Sequence, residues 1–174
     1  MKASRQPLCG SVFIVDPQGY LDAARDRLSR AGFREEASPA GAVLKVRRRQ
    51  IKLSRFGIVE TVVAISDVHS QPGPDQLRAF GAEIVRSARE GKSRIPRGLG
   101  SSLVVYPVLV TDGISDELRR FASSYTPKHW SILEFPVVVD PGTGSLVLVE
   151  KTPAWGAAYY RKTRREAQEL LTPA

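Results

Sequence analysis

Hydrophobic positions along the chain alternate between helical and extended spacing. Leu21, Ala24, Leu28 and Ala31 recur every three or four residues, as on one face of a helix. Asp16-Pro17 supplies a cap and a first helical residue, Gly32 a stop, and Phe33 is placed to fold back on Leu28. Leu77, Phe80, Ile84 and Ala88 repeat the pattern up to Gly91. A third stripe, Leu118, Phe121, Ala122 and Tyr125, follows the cap Ser115 with Asp116 and Glu117 in the first turn, where the helix dipole favours acids. Pro127 stops it. Thr152-Pro153 opens a fourth helix, with Trp155, Tyr159, Thr163, Ala167, Leu170 and Leu171 toward its buried side.

The remaining apolar runs read as strands. Val12 to Val15 is the first. After a polar turn over residues 35 to 41, Ala42 to Phe56 and Ile58 to Asp67 flank Gly57 as a hairpin. Ala42, Leu44 and Val46 share one face, while Ile51 and Leu53 have the opposite parity. A bulge or break is therefore expected within Arg47-Arg48-Arg49-Gln50. Leu103 to Thr111 is a further strand, and Pro107 within it argues for an edge position or a bulge. Ser131 to Asp140 and Ser145 to Glu150 form a second hairpin around Pro141-Gly142-Thr143-Gly144. The order β-α-β-β-α-β-α-β-β-α predicts one α+β domain over residues 1–174. Its mixed, mostly antiparallel sheet would carry two hairpins and be covered by about four helices.

Length and composition agree with this picture. A chain of 174 residues, 42% hydrophobic and 25% charged, can bury one core without metals or disulfides. Charge adds something the pattern does not. Against 18 acidic residues stand 26 basic ones, a net +8, and only seven of the 26 are lysine. Arginine forks grip phosphate and carboxylate in pairs of bonds. The excess points to a polyanionic partner: nucleic acid, an acidic protein or an anionic surface. One cysteine, Cys9, and two histidines, His69 and His129, exclude a disulfide framework and a cysteine-rich zinc site. A reducing cytoplasm is the expected setting. No apolar run approaches the ~20 residues of a membrane span, and residues 1 to 15 read as a strand rather than a signal peptide.

Three segments concentrate the positive charge. Lys45 to Arg55 holds six basic residues in eleven, and alternation would put Lys45, Arg47 and Arg49 on one face of a hairpin. Such a strip also protects an edge strand from unwanted pairing. Residues 91–102 form a basic, glycine-rich loop carrying Lys92, Arg94 and Arg97, expected to be flexible. Its Gly-Lys-Ser is not a nucleotide-hydrolysing loop, because Arg86 stands where the motif needs glycine and a helix precedes it. On the last helix Arg161, Arg164, Arg165 and Gln168 fall opposite the apolar side, flanked by Tyr160 and Lys162.

Catalytic patterns are sparse. Neither histidine accompanies a nucleophile elbow, and Cys9 has no charged neighbour to lower its pKa. Asp140 at the end of Pro136-Val137-Val138-Val139-Asp140, followed after a turn by Glu150-Lys151 on the partner strand and then a basic helix, resembles metal-dependent nucleases of the PD-(D/E)xK type over residues 131 to 171. The resemblance implies Asp140, Glu150 and Lys151 as catalytic residues, with Glu134 as another carboxylate. The sequence departs from the family in making Glu150 and Lys151 adjacent, which on a strand sends them to opposite faces. The leading expectation is a non-catalytic binding protein without cofactor or metal. It would grip nucleic-acid phosphates through Arg47, Arg49, Lys52, Arg94, Arg97, Arg161, Arg164 and Arg165, with little sequence preference. A metal-dependent nuclease is one alternative. Another is an interaction subunit with an acidic partner protein, anchored by Trp130, Trp155, Tyr159 and Tyr160.

Overall fold

The computed structural model describes residues 16–52, 57–90, 101–150 and 157–173. The expected strand Val12 to Val15, the segment after Lys52, most of the loop 91–102 and the cap Thr152-Pro153 lie outside the described residues. Helix α1, Pro17–Arg30, starts where Asp16 accepts the Gly19 N–H at 2.7 Å. It ends at Gly32, whose φ is +83°, and the Phe33 N–H reaches back to the Leu28 carbonyl. Phe33 and Leu28 join the same core, so the stop is fixed by local chemistry.

The chain then runs through β1 (Arg34–Glu35), β2 (Ala42–Lys52), β3 (Gly57–His69), α2 (Pro74–Glu90), β4 (Ser101–Thr111), α3 (Asp116–Ser124), β5 (Ile132–Glu134), β6 (Val137–Asp140), β7 (Ser145–Leu148) and α4 (Ala157–Leu171). Ser115 caps α3 by accepting the Leu118 N–H. The strands make one mixed sheet in the order β1-β2-β3-β4-β6-β7, with β5 also on β4. Both expected hairpins are present, β2 with β3 and β6 with β7. The ladders of β3, β5 and β6 with β4 are parallel, because α2 and α3 carry the chain back to the same end between strands.

Helices cover both faces. One core joins α1 and α4 to the sheet through Tyr20, Leu28, Val46, Tyr106, Phe135 and Leu171. On the other face α2 packs on Val62, Leu103 and Val105, and α3 on Leu109, Val138 and Val147.

Three local expectations need correction. The β2–β3 register is continuous from Leu44 to Lys52, and the shift falls between Ala42 and Leu44. Ala42 therefore packs toward α2 rather than with Leu44 and Val46. Ile51 has the opposite parity because it stands 78% exposed at the strand end. Pro107 lies in the central strand, not at an edge. Its missing N–H coincides with the gap between β5 and β6, where Phe135-Pro136 interrupts the partner. Tyr160 is in the core at 3% exposure instead of on the flank of α4.

Candidate interaction surface

The expected basic strip on β2 exists as a face but not as a free charge. Lys45 is 6% exposed and bonds Glu36 at 3.2 Å and Ser87 at 3.0 Å. Arg47 lies between Glu36 at 2.6 Å and Glu60 at 3.2 Å, and Arg49 reaches Glu60 at 3.8 Å. Burial pushes the Glu36 carboxyl up, but Arg47 and Lys45 outweigh it and hold the group below its usual range. Two carboxylates thus balance most of this charge. The neighbouring Arg48 turns to the other face, over the Phe33 ring and onto Glu166, which also accepts the Tyr106 hydroxyl at 3.0 Å. Arg94 and Arg97 lie outside the described residues, as does the side chain of Lys52.

Helix α4 keeps more of its charge at the surface. Thr163, Ala167, Leu170 and Leu171 are buried, which turns Arg161, Lys162, Arg165 and Gln168 outward. Arg165 pairs with Glu169 one turn later at 2.8 Å. Arg164 is half-buried instead of lying on the outer ridge. It donates to the carbonyls of Val149 and Glu150 at 3.0 and 2.7 Å, tying α4 to the chain beyond β7.

Arg164 and Gln168 line one wall of a cleft of about 350 Å³. Arg119, Arg120 and Ser123 of α3 form the opposite wall, and Leu146, Val147 and Leu148 of β7 the floor. Strand β7 ends the sheet, so no described strand pairs with its outer edge. The buried stripe of α3 fixes the geometry. Leu118 and Ala122 pack with Val147, which leaves Arg119 and Arg120 exposed beside the cleft. Among the described residues no carboxylate forms an ion pair with Arg119, Arg120, Arg161 or Lys162. Among the described residues Glu150 is the one acid of the cleft.

Sequence reasoning passed over Arg119 and Arg120. The signal available was a pair of adjacent arginines on a nine-residue helix, without acids in its last turn.

Of the nuclease-like residues, Asp140 and Glu150 are not brought together. Asp140 is 4% exposed and closes the hairpin turn by accepting the Thr143 N–H at 3.2 Å. It pairs with Ser145, whereas Glu150 lies five residues further along the returning chain, about 16 Å away at strand rise. A shared Mg²⁺ holds each oxygen at about 2.1 Å. Lys151 lies outside the described residues. Glu134 is engaged elsewhere: it is 3% exposed, and its Oε2 lies 2.6 Å from His129 Nε2. Burial raises its carboxyl above the usual range, and His129 pulls it part of the way back. Among the described residues no three metal-ligating side chains gather.

His69 ends β3, where its carbonyl accepts the Asp112 N–H. Of the expected aromatic anchors, Trp130 is 88% exposed and Tyr160 is buried. Trp155 and the side chain of Tyr159 lie outside the described residues. No helix among the described residues is long and apolar enough to cross a membrane. No family model matches the chain, and no curated protein or solved structure matches it.

Proposed function

We propose that this chain is a non-catalytic binding protein that docks an acidic partner protein in the cleft between α3 and α4. One observation carries the reading. Arg119 and Arg120, without carboxylate partners among the described residues, stand over an apolar floor at the edge of the sheet. A cleft that sets arginines without ion pairs among the described residues beside the half-exposed Leu146 suits a protein surface, where arginine and apolar contacts supply the strongest anchoring. Pairing of Arg47 with Glu36 and Glu60, and of Arg49 with Glu60, weakens the β2 strip as a contact for phosphates.

Titration of a fluorescent peptide of alternating Glu and Val, followed by anisotropy, tests the reading. Binding should weaken roughly tenfold or more in the double variant Arg119→Glu/Arg120→Glu, because two attractive charges become repulsive. Equal binding by the variant rejects the cleft.

A second reading rests on Arg161 and Lys162, which lack ion pairs among the described residues on the outer face of α4, and on the net charge of +8. These residues would hold nucleic-acid phosphates without sequence selection. Its mark is binding of a single-stranded oligonucleotide that falls steeply with salt and is lost in Arg161→Glu/Lys162→Glu. Salt-insensitive binding, or none, rejects it.

A further inference from the structure

We infer that the acidic partner enters the cleft as an extended segment that adds a strand to the outer edge of β7, which no strand among the described residues occupies. This deepens the acidic-partner reading and rests on it. The argument begins with the backbone. In an antiparallel pair each strand turns alternate N–H and C=O groups toward its neighbour and the others away. Pairing of Ser145–Leu148 with Val137–Asp140 uses the inner set. Among the described residues no strand takes the outer set, and that edge forms the floor of the cleft.

Free edges are commonly guarded by lysine, proline or a covering element. Strand β7, Ser-Leu-Val-Leu, has no charge or proline of its own. The chain immediately beyond it is closed. The Glu150 N–H bonds the Ser123 carbonyl at 2.9 Å, and Arg164 holds the carbonyls of Val149 and Glu150. The open stretch is therefore about four residues, or roughly 13 Å of strand.

Helices on both faces of the sheet set the side-chain pattern of the occupant. Helix α3 lies on one face with Arg119 and Arg120 at its rim, and α4 on the other with Arg164 and Gln168. A strand added to β7 sends successive side chains to these two faces in turn. Those facing α3 meet two guanidinium groups that have no ion pair among the described residues. Those facing α4 meet Gln168 and an arginine already bonded to carbonyls. The segment that fits carries Asp or Glu at every second position and neutral residues between. Backbone pairing provides affinity and the arginines provide selection, as in other strand-addition complexes.

The test uses the full chain and two labelled peptides of alternating Glu and Val with equal charge. One has free backbone amides and the other has every amide methylated. Strand addition predicts that methylation weakens binding tenfold or more, through loss of several backbone bonds. Hydrogen exchange should show that alternate amides within Ser145–Leu148 exchange freely in the unbound protein and become protected with the free-amide peptide. Equal binding of both peptides overturns strand addition while leaving the acidic-partner reading in place. Protection of those outer amides in the unbound protein also overturns it, because the edge would already be paired. Failure of both peptides to bind defeats the underlying reading and the inference with it.

Discussion

Replacing Gly81 with alanine separates local helix preference from tertiary packing. In an isolated helix the change is favourable by about 1 kcal/mol. In the fold, Gly81 of α2 lies against the buried carboxyl of Glu134. A Cβ there would overlap Glu134 Oε1 and meet Glu134 Cδ at 3.4 Å and Pro107 Cγ at 3.7 Å. Glu134 is 3% exposed, and its other oxygen is held 2.6 Å from His129. It cannot yield without giving up that bond. Overpacking of this kind costs about 1–3 kcal/mol, and loss of a hydrogen bond to a charged group about 1.5–3 kcal/mol. After subtracting the gain in helix preference, Gly81→Ala should destabilise by about 2–4 kcal/mol. For a chain of this size that lowers Tm by roughly 10 °C. Urea denaturation followed by circular dichroism measures it. The same substitution in a Glu134→Ala background, where the space is open, should be neutral or stabilising. If Gly81→Ala alone raises stability by about 1 kcal/mol, the packing argument is wrong.

Other outcomes follow from the same contacts. Burial raises the Glu134 carboxyl, so the folded state holds its proton at a pH where the unfolded chain has released it. Wild type should lose stability relative to Glu134→Gln as pH rises from the unfolded value near 4.5 through the raised folded value; parallel stability curves would contradict this. Glu36 has the opposite sign. Its lowered carboxyl stabilises the fold above the unfolded pKa, so Glu36→Gln should cost stability at neutral pH and nothing once acid has titrated the group in both states. Removing one partner of a buried ion pair costs about 3–5 kcal/mol, which the 22% side-chain exposure of Glu166 reduces to about 2–3 kcal/mol for Arg48→Ala. Chemical denaturation checks this, and a loss below 1 kcal/mol would show that the pair is solvent-screened.

Features written in short stretches of sequence were legible. The cap at Asp16, the stop at Gly32 with Phe33, the cap at Ser115 and both hairpins depend on residues a few positions apart, and all are present. What depends on strand order was not. Arg47 looked free because its partners Glu36 and Glu60 lie 11 and 13 residues away and arrive only when the strands assemble. Pro107 resembled an edge residue because the break that accommodates it, at Phe135-Pro136, belongs to another segment. Arg119 and Arg120 carried no signal by themselves. They become a wall only when β7 proves to be the last strand of the sheet and α4 rises on its other side. On α4 the buried positions Thr163, Ala167, Leu170 and Leu171 were legible, but the stripe is wider than the spacing suggests: it takes in Tyr160 and draws Arg164 half inward.

Amide chemical-shift mapping of the ¹⁵N-labelled chain, titrated with the alternating Glu-Val peptide, tests the central claim most directly. The largest shifts should fall on Arg119–Ser123, Leu146–Leu148 and Arg164–Gln168, with Lys45–Arg49 unmoved. Shifts centred on Lys45–Arg49, or spread evenly over all basic residues, would contradict a cleft specific for an acidic partner.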